Sequence, residues 1–340
     1  MSVKVLEKNR ARTSAQVRFF ERIQILTERC LTIRQRDRRI RKEKEKAQHP
    51  VLSWLGAFIW AAWVVLLINQ YLFQAYEIPS GSMIDTLLIK DRIFVNKIIF
   101  GPELLPGVVK LPSPIKPKRN DIIIFENPSY ISKGPVFDIA QRIIYMLTLS
   151  LLNIDSDAQG NPEAHFLIKR AVGVGGDTFV LDRGEFRLRF AGETRWINER
   201  DFNAGRGFNH QLSRLINERD YMAIEATGKS RAYSDLNIDA PASIALTAAS
   251  INGQYLADSF AYERSWLTVL RGAYPQDSRY MMRLAQHTQG RYIPEGRMFP
   301  LGDNRDNSRD GRYFGPIKEL DVLGQGAIKY WPLRRIGVIR

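Results

Sequence analysis

The chain has 340 residues, enough for one large domain or two smaller ones, with the 44% hydrophobic and 25% charged residues of an ordinary folded protein. Its net charge of +14 is local: residues 1–50 carry 15 Lys and Arg against 6 Asp and Glu, and the other 290 residues carry only +5, which argues against a generally basic nucleic-acid binder. The single cysteine, Cys30, excludes an internal disulfide framework and leaves no set of thiolates for a metal.

In chain order, Val17, Phe20, Ile23, Leu26, Cys30 and Ile33 recur every three or four residues, the spacing of a helical stripe. Flanked by Arg and Glu, this basic arm suits the inner leaflet of a membrane, a coiled coil or a cytoplasmic partner alike. From Val51 to Tyr76 there is no charged residue, and the run predicts a spanning helix over 51–74. Arg34, Arg36, Arg38, Arg39, Arg41 and Lys42 stand just before it, which keeps the N-terminus cytoplasmic and exports everything after Tyr76. A second apolar stretch, Ile139 to Ile154, is short and interrupted by Arg142, so it reads as a helix packed on the domain or lying in the outer interface.

Beyond Tyr76 the pattern is mainly β. Asp121–Phe125, Thr178–Leu181 and Glu185–Phe190 are short apolar or alternating runs, and Asp182-Arg183-Gly184 predicts a hairpin between the last two. Pro102, Pro106, Pro112, Pro114 and Pro117 predict an irregular loop. Residues 191–290 carry no chemical motif and read as an insertion that returns at Tyr292. The expected domains are a basic arm at 1–50, the spanning helix at 51–74, a β domain at 75–190 and 291–340, and an inserted cap at 191–290.

Four segments bear the chemistry. Ile78-Pro79-Ser80-Gly81-Ser82-Met83 continues to Thr86-Leu87; Asp91 to Lys97 follows; Ile168-Lys169-Arg170 leads into Gly173 and Gly176-Asp177; and Gly302-Asp303-Asn304-Arg305 runs to Ser308, Asp310 and Arg312. A serine hydroxyl is a weak nucleophile without a base, and a lysine serves as that base only when desolvation keeps it neutral. Lys169 lies between Phe166-Leu167-Ile168 and Ala171-Val172, a setting fit to bury an amine.

In this order, after a membrane span, the four segments resemble bacterial type I signal peptidases, and so do Pro117–Phe125 and Tyr330-Trp331-Pro332. The resemblance implies a mainly β catalytic core of that family's fold. It implies a membrane-bound serine endopeptidase that removes signal peptides after small residues at the first and third positions before the cut. Ser82 then falls on the nucleophile and Lys169 on the general base. Ser80, with the Ser82 amide, falls on the oxyanion hole; Ser308 falls on the residue that orients the lysine; Asp310, Arg312 and Arg170 fall on supporting positions. No cofactor or metal is implied. The implied partners are preproteins, the lipid bilayer and the secretion translocon, at the bacterial inner membrane with the catalytic domain outside.

The sequence departs from that family at Asp85 and Gly175, where proline is usual, at Lys90 and Asn120, where glycine is usual, and at Gly311, where serine is usual. Asp85 is expected to raise the lysine pKa if it lies close. The Asp85 and Gly311 changes motivate the alternative of a catalytically impaired, membrane-tethered scaffold. A Ser-His-Asp hydrolase is poorly supported, because there is no G-x-S-x-G and no motif around His49, His165, His210 and His287.

Overall fold

The computed structural model describes residues 27–29, 31–40, 50–105, 109–111, 113, 115–148, 151–155, 165–208, 212–250 and 258–339. Most of the basic arm lies outside the described residues: of the expected stripe, only Ile33 falls within them, in a helical stretch over 31–40. Pro106, Pro112 and Pro114 of the expected loop also lie outside. Two units divide the chain, 1–64 and 65–340. Helix α1, Pro50–Tyr71, is the one described helix long and apolar enough to cross a membrane, with a 19-residue stretch from Ser53 to Tyr71 of hydropathy 1.5.

The second unit is built on an eight-stranded antiparallel sheet. Its strands are β1 (Phe73–Glu77), β2 (Arg92–Asn96), β5 (Ile122–Glu126), β6 (Phe166–Val174), β11 (Arg297–Leu301), β12 (Ile317–Lys318), β13 (Val322–Trp331) and β14 (Gly337–Val338). They lie in the order β1-β2-β13-β5-β6-β11-β12, with β14 on β13. Register shifts at Phe299/Pro300, Gly326/Ile328 and Lys329/Trp331 add twist and curl the sheet.

The two-residue period of β5 sorts its side chains onto two apolar clusters. Ile122 and Ile124 join Met83, Leu87, Ile93, Val95 and Ile168, while Ile123 and Phe125 join Phe100, Ala171, Met298 and Val322. Central strands buried on both faces explain why Asp121–Phe125 reads as a continuous apolar run rather than an alternating one.

Strands β3 (Glu103–Leu105) and β4 (Val109–Lys110) pair within the proline-rich segment. A smaller sheet contains β7 (Thr178–Asp182), β8 (Glu185–Arg189), β9 (Ile197–Asn198) and β10 (Arg291–Tyr292). The hairpin forms at the expected place: Asp182 pairs with Glu185, and the two loop residues Arg183 and Gly184 have φ of +46° and +75°, as a two-residue hairpin turn of this twist requires.

The 191–290 region is largely helical. It contains α3 (Glu199–Ala204), α4 (Glu218–Asp235), α5 (Ala242–Ala249), α6 (Ser259–Ala273) and α7 (Ser278–Thr288), and it rejoins the sheet where β10 pairs with β7. Helix α2 (Pro135–Leu147) precedes α3 in the chain, on the β5–β6 connection, and is too short to span. A last helical turn, α8, covers Gly311–Phe314.

Lys90 and Asn120 have φ of +69° and +71°, the left-handed region that glycine enters without steric cost. This is the physical content of two departures noted in the sequence. Lys90 is exposed, so Lys90→Gly is expected to raise stability by about 0.5–1 kcal/mol in denaturant unfolding. Asn120→Gly should not, because the Asn120 amide donates to Asn203 Oδ1 at 2.6 Å in a buried site.

Candidate active site

The serine segment is a tight 3-10 turn, Gly81–Met83, anchored from below. Met83 and Leu87 are 1% and 0% exposed within the first cluster, and the Leu87 amide donates to Met83 O at 2.8 Å. Ile78, just before the serine turn, bonds to the far end of the loop, with its amide donating to Asp91 O and its carbonyl accepting from the Lys90 amide. Apolar plugs and backbone bonds therefore fix a loop whose polar tip, Ser82, is itself buried.

Lys169 comes from the middle of β6, opposite Ile123 of β5. Its Nζ stands 2.8 Å from Ser82 Oγ and 3.0 Å from Ile168 O, across 87 residues of sequence. The side chain is buried, and desolvation lowers its pKa from 10.5 to about 8 against the opposing pull of Asp310 and Asp303 and with help from Arg312. The charged groups acting on the amine are those three; Asp85 is exposed, and it accepts a 3.4 Å bond from Ser213 Oγ. A neutral amine at hydrogen-bond distance from a hydroxyl is a competent acceptor for its proton.

Ser80 Oγ is exposed and lies 3.5 Å from Ser82 Oγ, on the solvent side of the turn. Ser308 is brought to the same place but in a different bond pattern from the expected one. Its Oγ is buried without a hydrogen-bond partner, and the second contact of the lysine amine is Ile168 O. A side chain at Gly302 would overlap Ser308 Oγ and the Ser82 carbonyl, so glycine is what lets the 302–312 loop approach the serine turn.

That loop is held by charge. Arg170, fully buried, forks onto Asp303 with both bonds at 2.8 Å, and also donates to Asn120 O at 3.0 Å and Thr86 Oγ1 at 3.3 Å. Thr86 in turn donates to Asp303 at 2.6 Å. Asp310 accepts from the Gly302 amide at 3.0 Å and from Arg312 Nε at 2.9 Å. Burial pushes the Asp310 carboxyl up, but Arg312 and the Gly302 amide outweigh it and hold the pKa below the usual value. Gly311 leaves room for Pro300 O, which a Cβ there would meet at 2.8 Å.

Sequence reading gave no separate role to Asn304, Asp303, Thr86 or Glu199. Asn304 clamps the serine turn twice: its amide N–H donates to Ser82 O and its side chain to Gly81 O, both at 3.0 Å. Glu199 meets Arg305 in a buried pair at 2.6 Å across 106 residues. The segment after α3 also reaches the loop, where Ser213 bridges Asn304 and Arg214 bonds Asp306 at 2.9 Å. Asn304 and Asp303 lie inside the Gly302–Arg312 motif, a signal that was present; Glu199 gave none. Among the described residues, no group of three or more His, Cys, Asp or Glu stands ready for a metal ion.

The sequence model of the family "Signal peptidase, peptidase S26" matches residues 51–195 and 242–331, most of the chain. The chain belongs to this family. Membership makes it a serine endopeptidase by class. It is similar to signal peptidase I of Haemophilus influenzae, 26% identical over 318 residues, covering 88% of this chain and 76% of the relative. Signal peptidase I of Buchnera aphidicola subsp. Acyrthosiphon pisum is 25% identical over 290 residues, 85% of this chain and 77% of the relative. That of Aquifex aeolicus is 25% identical over 271 residues, 78% and 79% of the two chains. Residues 196–241, which hold α3 and α4, fall between the two matched segments of this S26 family member.

Proposed function

We propose that the chain removes signal peptides from exported preproteins, with Ser82 as nucleophile and Lys169 as general base. The observation that carries this reading is the 2.8 Å approach of a buried, pKa-lowered amine to a buried hydroxyl. Family membership and the signal peptidase I relatives supply the substrate class. In the first step the Ser82 O–H donates its proton to the Lys169 lone pair while Oγ bonds to the carbonyl carbon of the last residue of the signal sequence. The oxyanion that forms accepts from the Ser82 amide and from Ser80 Oγ, a donor type worth about 3 kcal/mol in the transition state. The ammonium then gives its proton to the departing amine, leaving an ester on Ser82. Neutral Lys169 next takes a proton from water as the water oxygen attacks the ester carbonyl, then returns that proton to Ser82 Oγ as the C–O bond breaks, which frees the signal peptide as its carboxylic acid and restores both residues.

The remaining roles follow from position. Arg170, Asp310 and Arg312 hold the 302–312 loop against the serine turn, and Ser308 is assigned to orient the amine in the loaded enzyme. Helix α1 tethers the chain in the bilayer with the basic arm inside and the second unit outside, and the translocon is the expected source of substrate. The helices of 199–288 form a cap over the loop side of the site. The reading as a catalytically impaired, membrane-tethered scaffold gains nothing from Asp85, which is not among the charges acting on the amine.

The test is cleavage of a preprotein by the purified full chain in liposomes, with the new N-terminus read by mass spectrometry. A single cut after the signal sequence is expected. A preprotein left intact under conditions where the chain is folded contradicts the proposal.

A further inference from the structure

Helix α2 presents an apolar face that no other part of the described chain covers. Val136, Ile139, Ile143 and Leu147, spaced as one helical stripe, are 82%, 57%, 40% and 39% exposed. Leu151 and Leu152 extend it, at 60% and 57% exposed. The opposite face is fixed to the domain by polar contacts: Gln141 is buried and bonds Asn153, Arg142 pairs with Glu126 at 3.0 Å and lies over Phe166, and Tyr145 OH accepts from the Glu77 amide. The helix is thus held with its apolar stripe outward. A stripe of this kind on a water-facing surface is unfavourable unless something apolar meets it.

Its place in the fold says what does. Gln70, in the last turn of α1, donates to Glu103 O at 3.0 Å, and the Glu103 carboxylate lies 4.0 Å from Arg142 of α2. Tyr145 of α2 packs on Tyr76, five residues past the end of α1. One side chain therefore separates α2 from the end of the apolar helix. The interfacial layer beyond the hydrocarbon is only about 5–8 Å deep on each side, and amphipathic helices settle into that layer.

We infer that α2 is a lipid-docking helix whose stripe of Val136, Ile139, Ile143 and Leu147 enters the outer membrane interface beside the end of α1. This rests on the proposed membrane tether and adds a second contact to it. Two attachments fix the tilt of the second unit on the bilayer, so the Ser82 site meets substrate at a set height rather than swinging on a single helix. The lipid contact is apolar and does not depend on headgroup type.

The test uses the full chain with Cys30→Ser and one of three cysteines, Phe58→Cys in α1, Ile143→Cys in α2 or Arg279→Cys in α7. Each carries an environment-sensitive fluorophore in phosphatidylcholine–phosphatidylglycerol vesicles, with nitroxide lipids bearing the quencher near the headgroup or deep in the chains. The inference predicts shallow quenching at 143, deep quenching at 58 and none at 279, whose arginine side chain is 80% exposed. Quenching at 58 with none at 143 overturns the inference and leaves the tether standing. No quenching at 58 removes both. Cross-linking between two Ile143→Cys chains in place of lipid quenching assigns the face to a second copy and also overturns it. A functional readout follows: Ile139→Glu with Ile143→Glu is expected to slow cleavage of vesicle-embedded preprotein by about tenfold while leaving a short soluble peptide unaffected. An equal rate ratio for the two substrates contradicts the inference.

Discussion

Ser82→Ala and Lys169→Ala are each expected to cut preprotein processing by at least about 10⁴-fold, and the double variant by no more than either alone. The reason is that the pair acts as a unit. Without the hydroxyl nothing bonds to the carbonyl, and without the amine the hydroxyl keeps its proton. The nearest alternative bases do not replace Lys169, since Asp310 is tied to Arg312 and the Gly302 amide. Loss of fold is a separate outcome with a separate sign. The buried amine sits in a setting that has already lowered its pKa to about 8, so its charged form is disfavoured there. Lys169→Met, similar in volume and apolar, is therefore expected to raise the thermal midpoint while abolishing cleavage. A variant that retains processing within tenfold of the parent would remove the assignment.

The second large effect is on stability. Arg170→Met is expected to cost about 3–5 kcal/mol in unfolding, because it strips the forked cation from Asp303 in a site where both side chains are fully buried. Asp303 keeps its bond from Thr86, but a neutral hydroxyl does not replace a guanidinium. Replacing both partners, Arg170→Met with Asp303→Leu, is expected to cost markedly less than Arg170→Met alone, since no buried charge is then stranded. Equal destabilisation in the single and double variants would show that packing, not the ion pair, sets the cost. Cleavage should fall in both variants, because the pair links β6, the Thr86 end of the serine loop and the 302–312 loop.

How legible this was in the sequence differs from element to element. The Asp182-Arg183-Gly184 hairpin and the β5 run were readable because each rests on local residue chemistry, whereas the approach of Lys169 to Ser82, 87 residues away, was expected only from the family resemblance. Lys90 and Asn120 looked like departures, and the backbone shows what the position asks for: a left-handed residue.

The helices of 199–288 were not legible. Helix α4 buries Ala223, Ala226, Gly228 and Ala232 beside Tyr221 and Ile224, a face made largely of small residues that no apolar period reveals. Gly228 sits so close to Tyr262 O of α6 that any side chain would collide. Small residues became a packing face only because a neighbouring backbone approaches them. Glu199–Arg305 was hidden for a related reason, since two charges 106 residues apart carry no spacing signal. At Ser308 the expected partner differs: its hydroxyl is buried without a bond, and the lysine uses its neighbour's carbonyl instead.

The most direct test is the single-turnover cleavage rate against pH, from about pH 6 to about pH 9, on the full chain in liposomes. A base that works only when neutral gives a rate that falls about tenfold per pH unit below its pKa and levels off above it. Lys169 places that inflection at about 8. Burial also lowers Lys97 to about 8, so Lys97→Met must leave the inflection where it was. That profile, unchanged in Lys97→Met, is the predicted result; a rate independent of pH across the range, or an inflection that vanishes with Lys97, would contradict a neutral Lys169 as the base.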